Sequence, residues 1–176
     1  RWTLIARDAF NGSLLWQRPL PTWGSGTWKN RALRFFGGNV ARRLVVDKDR
    51  LYVTFQYGGG VQILDAATGR TLGEIPGTEG AEEILVSGQQ VIVSSLGQPE
   101  RKGGSVQILC YDVPSEKVLW RAEDKGLVAQ VLSAGPDEVV YHNRQRVVCL
   151  NRNDGSVRWE YADQPSGRRG GGKMLL

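Results

Sequence analysis

A single histidine, two cysteines and one short acidic run are where catalysis or metal binding would first be sought in this 176-residue chain. His142 has no second histidine to share a metal, and neither a Cys-x-x-Cys nor a His-x-x-x-His pair occurs, so a zinc site of the usual spacing is unsupported. No Gly-x-Ser-x-Gly elbow is present to expose a nucleophilic serine. The run Gly77-Thr78-Glu79-Gly80-Ala81-Glu82-Glu83 lacks the alternating ligands and terminal bidentate Glu of a calcium loop, and reads as a solvated connection. The glycines near Lys173 miss the phosphate-cradling pattern, which needs Gly-Lys followed by Ser or Thr. Asn11-Gly12-Ser13 is formally a glycosylation sequon, but a turn of the repeat described below accounts for it.

One stretch has the composition of a binding surface. Between Thr22 and Ala41 lie Trp23, Trp28, Lys29, Arg31, Arg34 and Phe35. Aromatic faces interleaved with cations stack on sugars or bases and pair with anions. Long ordered loops are uncommon and often functional. The alternative is that these aromatics only seal the loop against the fold. Charge is skewed the same way: the chain carries +5 overall, and residues 1–50 hold ten basic and three acidic side chains. A basic face attracts nucleic acid, anionic lipid or acidic polysaccharide, whereas a solvated surface balanced elsewhere in the molecule explains the excess without any of them. On that second reading nucleic acid is disfavoured as a partner.

The elements that must carry such a loop are legible in a repeat. Arg7-Asp8-Ala9-Phe10-Asn11-Gly12-Ser13-Leu14-Leu15-Trp16 returns as Asp65 to Gly73, as Asp112 to Trp120 and as Asn151 to Trp159. The copies start 57, 47 and 39 residues apart. Asp or Asn bonds backbone N–H groups two or three residues on, and Gly12, Gly69 and Gly155 supply a left-handed position. That is a hairpin closed by a glycine bulge, so each copy joins two antiparallel strands. Alternating runs such as Leu51–Phe55, Ala81–Val86 and Gln90–Ser95 add two more strands per period. A four-stranded unit repeating every ~40–45 residues is the mark of a propeller blade.

The motif in full is a small residue, a spacer, Asp, two spacers, Thr, Gly, three spacers and Trp. It resembles the tryptophan-docking motif of the quinoprotein-like (PQQ-like repeat) β-propellers. Ala6, Asp8, Gly12 and Trp16 match it; Asp65, Thr68 and Gly69 match, with Gly73 in place of Trp; Cys110, Asp112, Ser115 and Trp120 match, with Glu116 in place of Gly; Cys149, Asn151, Gly155 and Trp159 complete the set. The resemblance covers residues 1 to about 163 and implies that each Trp stacks between neighbouring blades.

The expected fold is all-β, about 3.5 four-stranded antiparallel blades forming an arc of a seven- or eight-bladed ring. The expected divisions are a half blade at 1–20, an insertion loop at 21–42, blades at 43–77, 78–124 and 125–163, and a loop into a next blade at 164–176. Closed propellers have four or more blades, so the chain reads as a piece of a longer protein whose remaining blades are partners of this arc. Its open edges predict self-association. No apolar run approaches the ~20 residues that span a bilayer. Cys110 and Cys149 hold one motif position in successive blades, too far apart for a disulfide, where free Cys packs as a small hydrophobe.

The resemblance also offers two functions. The quinoprotein dehydrogenases bind PQQ with calcium and look for an adjacent Cys-Cys pair and a catalytic Asp. Cys110 and Cys149 are not adjacent, and no acid here can be given that role. The non-enzymatic branch, similar to the outer-membrane assembly lipoprotein, implies a binding or scaffold module for a protein, peptide or glycan, without cofactor. Such a module would be periplasmic, envelope-associated or secreted. A fragment of a PQQ-dependent oxidoreductase is the alternative.

Overall fold

The computed structural model describes residues 2–20, 42–56, 58–95, 106–125, 131–143 and 145–162. These contain fourteen strands and no helix. A two-stranded sheet, β1 (Trp2–Arg7) and β2 (Leu14–Leu20), comes first. Three four-stranded sheets follow: β3 (Leu44–Asp47), β4 (Arg50–Thr54), β5 (Val61–Asp65), β6 (Thr71–Glu74); then β7 (Ala81–Ser87), β8 (Gln90–Ser95), β9 (Val106–Asp112), β10 (Lys117–Asp124); then β11 (Ser133–Ala134), β12 (Glu138–His142), β13 (Arg146–Asn151), β14 (Val157–Ala162). Every sheet is an antiparallel meander in chain order.

The hairpin chemistry is as the repeat requires. Asp65 Oδ1 accepts from Thr68 N (2.8 Å) and Thr68 Oγ1 (2.7 Å), while Gly69 N donates to the Asp65 carbonyl (2.8 Å). Asp8 Oδ1 accepts from Phe10 N and Asn11 N, and Asn151 Oδ1 from Asn153 N. The register slips at Ala6/Arg7, Ile63/Leu64, Val118/Trp120 and Cys149/Leu150, one bulge per turn. Gly12, Gly69 and Gly155 take φ near +70°, and Glu116 takes +56° in the third copy.

The sheets pack face to face, and the core is divided among their interfaces. Leu4 and Trp16 pack on Leu51, Val53 and Leu64. Tyr52, Ile63 and Ile75 meet Val91, Val93, Leu109 and Tyr111. Ile92, Ile108, Cys110 and Trp120 meet Leu132, Val139, Tyr141 and Leu150. The first strands converge, with β7 beside both β3 and β11. Cys110 and Cys149 are free and buried in these layers, and burial pushes both thiols up, Cys110 to about 11.

Proline removes a ladder donor, so sequence alone would end the strand at Pro19, yet β2 continues through it to Leu20, with Pro19 opposite Thr3. An edge strand tolerates a missing N–H on its unpaired side. In the last sheet, β11 comprises Ser133–Ala134 and follows residues 126–130, which lie outside the described residues. Leu132 is withheld from the ladder because side chains occupy its backbone: its N–H donates to Glu83 Oε2 (3.4 Å) and its carbonyl accepts from Arg42 Nη1 (2.9 Å).

Candidate functional site

The two ends of the sheets differ in chemistry. At the turn end, each indole reaches the next sheet. Trp16 Nε1 donates to the Ala66 carbonyl (2.9 Å), and Trp120 Nε1 to the Arg152 carbonyl (2.6 Å). The rings lie on the turn glycines: a Cβ added at Gly69 would stand 2.6 Å from Trp16 Cδ2, and one at Gly155 would stand 2.7 Å from Trp120 Cδ2. The departures from the motif fall together at the remaining junction. Gly73 stands where an indole would project, and the turn it would cover carries Glu116 instead of glycine. With no ring to admit, a side chain is tolerated there.

Arg152 reinforces the last junction. Its Nε donates to Gln90 Oε1 (2.6 Å), its Nη1 to Ser87 Oγ (2.9 Å) and the Gly135 carbonyl (2.9 Å), and its Nη2 to the Ser87 carbonyl. A buried guanidinium held by neutral acceptors thus ties the β7–β8 turn to the sheet of β11–β14.

The opposite end begins at Leu20 and Arg42, the described residues that flank the segment 21–41. Arg42 pairs with Glu83, and Arg43 with Glu82. Glu83 is 1% exposed, Arg43 is buried, and Ile84 N donates to the Arg42 carbonyl (2.8 Å). This corrects the reading of 77–83 as a solvated acidic connection. A bulge between Ala81 and Glu83 turns the Glu83 carboxylate inward, where it joins three sheets through Arg42 and Leu132. Thr78 is buried as well: its hydroxyl donates to the Ile75 carbonyl (2.7 Å) and accepts from Val61 N (2.8 Å).

A second polar cluster stands at this end. Asp124, the last residue of β10, accepts on Oδ2 from Tyr141 Oη (2.7 Å) and Asn143 Nδ2 (2.8 Å). Asn143 Oδ1 in turn accepts from Gln145 N (3.1 Å) and Arg146 N (2.9 Å). Burial pushes the Asp124 carboxyl up, but the Tyr141 and Asn143 hydrogen bonds, the Lys125 N–H and the Arg146 charge outweigh it and leave it below the usual aspartate value. A group depressed on folding stabilises above its unfolded pKa, and that contribution is lost as pH falls through the folded one. Asp124→Asn is therefore expected to cost about 1–2 kcal/mol at neutral pH. It should also flatten the fall in stability below about pH 4. Urea melts of both proteins between neutral and acid pH test this; parallel acid limbs would refute it.

The sequence-derived binding residues Trp23, Trp28, Lys29, Arg31, Arg34 and Phe35 lie outside the described residues. His142 ends β12 and is half-buried. No group of three or more His, Cys, Asp or Glu that could hold a metal occurs among the described residues. Cys110 and Cys149 are buried in different sheets, and the carboxylates of Glu82 and Glu83 are engaged by arginines.

A profile of the family described as outer membrane protein assembly factor BamB matches residues 2–101. No match is found among curated proteins. Among solved structures, the chain is similar to BamB from Moraxella catarrhalis, at 18% identity and a TM-score of 0.55, covering 90% of this chain and 42% of that one. It is similar to the quinohemoprotein alcohol dehydrogenase ADHIIG from Pseudomonas putida HK5, at 16% identity and a TM-score of 0.54, covering 69% of this chain and 20% of that one. It is also similar to the computationally designed Ika4 protein, at 14% identity and a TM-score of 0.55, covering 70% and 72% respectively. Likeness at these identities establishes the fold, and the sheets described above are blades of a PQQ-like β-propeller. The chain spans less than half the length of the Moraxella BamB structure.

Proposed function

The chain belongs to the family of the outer membrane protein assembly factor BamB, and on that premise we propose that it is a non-catalytic binding module of the bacterial envelope. Its partner is a protein in an extended or partly unfolded state, met during assembly of outer membrane proteins. The observation that supports this best is the contrast between the two blade ends. One is closed by indole and Arg152 contacts, while the other fixes Arg42 and Arg43 in ion pairs directly after the aromatic and basic segment 21–41. Trp23, Trp28 and Phe35 would supply apolar contact, and Lys29, Arg31 and Arg34 would orient acidic or carbonyl-rich stretches. A glycan is the finer variant of the same recognition. The two outer sheets remain as further partner-facing surfaces. No helix among the described residues is long and apolar enough to cross a membrane.

The test is fluorescence anisotropy with a labelled outer-membrane β-barrel protein diluted from urea, run beside a glycan array. Saturable binding of the unfolded barrel is expected, weakened about tenfold or more in Trp23→Ala/Trp28→Ala, since each buried indole contributes roughly 1.5–3 kcal/mol. Equal binding by that variant would refute the assignment of the segment. Dye reduction on adding PQQ, calcium and an alcohol would replace it with the oxidoreductase reading.

A further inference from the structure

The joints between successive sheets are not fastened alike. At the turn end of the first, Trp16 donates to the Ala66 carbonyl and Arg18 Nη1 donates to Thr71 Oγ1 (3.0 Å). At the turn end of the third, Trp120 donates to the Arg152 carbonyl and Arg152 reaches Gln90 and Ser87. The middle joint lies between β3–β6 and β7–β10. Among the described residues, no hydrogen bond or ion pair crosses its turn end. Gly73 pairs with Ile63 in the register that Trp120 has with Cys110 and Trp16 with Ala6. A Cβ built on Gly73 would meet nothing within 4 Å, so no group fills the place of the ring. The Val113 carbonyl, at the motif position of Ala66 and Arg152, receives no indole, and Glu116 carries its side chain into solvent.

The opposite end of that joint is pinned by polar contacts. Arg42 pairs with Glu83 and Arg43 with Glu82, and Ile84 N donates to the Arg42 carbonyl (2.8 Å). Arg121 Nη2 donates to the Pro76 carbonyl (3.3 Å), with its guanidinium lying on Gly77. Between the two ends the contact is apolar: Tyr52 and Ile63 meet Val91 and Tyr111, with Val113 and Val118 half-buried beside them.

We propose that the middle joint is a hinge. The first two sheets and the last two move as pairs, parting at the turn end between Gly73 and Glu116 while Arg42 and Glu83 hold the other end. Local opening takes the region with the fewest fixed contacts, and here that is a joint closed by apolar contact alone. Opening bares Ile63 and Tyr111 and turns the joint into an apolar cleft.

Ile63 and Cys110 hold one motif position, buried in the middle and third joints respectively, which gives a comparison within one molecule. Ile63→Cys is labelled with a maleimide in the absence of denaturant, and each thiol is followed by peptide mass spectrometry. The introduced thiol is expected to react about tenfold or more faster than Cys110, since its joint lacks both the indole hydrogen bond and the ring contact. Global unfolding would expose both alike. Adding Gly73→Trp with Glu116→Gly supplies the ring and removes the Cβ beneath it. Labelling of the introduced thiol should then slow to the rate of Cys110, which separates the hinge from any loosening caused by the lost isoleucine. Circular dichroism verifies folding, and Val91→Cys, buried in the same cluster, replaces Ile63→Cys if that variant is unfolded. Equal rates at the two thiols, or a rate that the added indole leaves unchanged, would overturn the proposal.

Discussion

Replacing Gly155 with valine is expected to cost about 4 kcal/mol of unfolding free energy, among the largest effects available to one substitution in this chain. Two costs combine. The backbone there sits at φ +72°, a region that β-branched residues avoid. The new Cβ would also stand 2.7 Å from the Trp120 ring. Neither side can yield cheaply. Gly155 N is bonded to the Asn151 carbonyl (2.8 Å), and the Trp120 indole is fixed by its hydrogen bond to the Arg152 carbonyl (2.6 Å). The ring must leave a site where it is only 7% exposed. Glu116 serves as the internal control, holding the same backbone conformation with a side chain because Gly73 presents no ring to it. Urea unfolding of Gly155→Val with and without Trp120→Ala separates the two costs. In the Trp120→Ala background only the backbone strain, about 1–3 kcal/mol, should remain. An equal penalty in both backgrounds would mean that the ring contact contributes nothing.

Glu83→Ala carries the second large effect, expected at about 3 kcal/mol because it leaves a charged partner without its counter-ion in a mostly dry site. The carboxylate receives Arg42 and the Leu132 N–H, and Arg42 also donates to the Leu132 carbonyl, so one side chain holds three blades at their inner ends. Arg42 is 31% exposed and can recover some hydration, which keeps the figure at the lower end for a broken buried pair. The comparison is Glu160→Gln. It removes the exposed pair with Arg146, both side chains more than a third accessible, and should cost no more than about 1 kcal/mol. Replacing Arg42 and Glu83 together by methionine should restore most of the loss, since two apolar groups leave no charge uncompensated. Comparable midpoints for Glu83→Ala and Glu160→Gln would show that burial of the pair carries no weight.

The turns were readable in one dimension because their chemistry is local. Asp8, Asp65 and Asp112 each bond an N–H two or three residues ahead, and the left-handed residue, Gly12, Gly69 or Glu116, is four residues on, so spacing alone specifies a reversal. Four copies in phase specify strands, and strands at that period specify blades. The exposed side of each outer strand was harder to read. Pro19 looked like a stop because sequence does not say which edge of a strand is unpaired.

The acidic connection was misread for a similar reason. Glu82 and Glu83 sit among glycines and other acids, a composition typical of water-facing loops. Their partners, Arg42 and Arg43, come 39 to 41 residues earlier. Arg152 gave no signal at all: it is an ordinary polar turn residue until the β7–β8 turn is folded against it.

Sequence by itself determined the blade, since hairpin turns and strand alternation depend on neighbours within a few residues. Only the tertiary structure decided which charges are buried, which carbonyl receives an indole and which turn can do without glycine. Those outcomes depend on the face that one sheet presents to the next, set when a bulge re-aims a side chain such as Glu83 and when two sheets stack closely enough to exclude water.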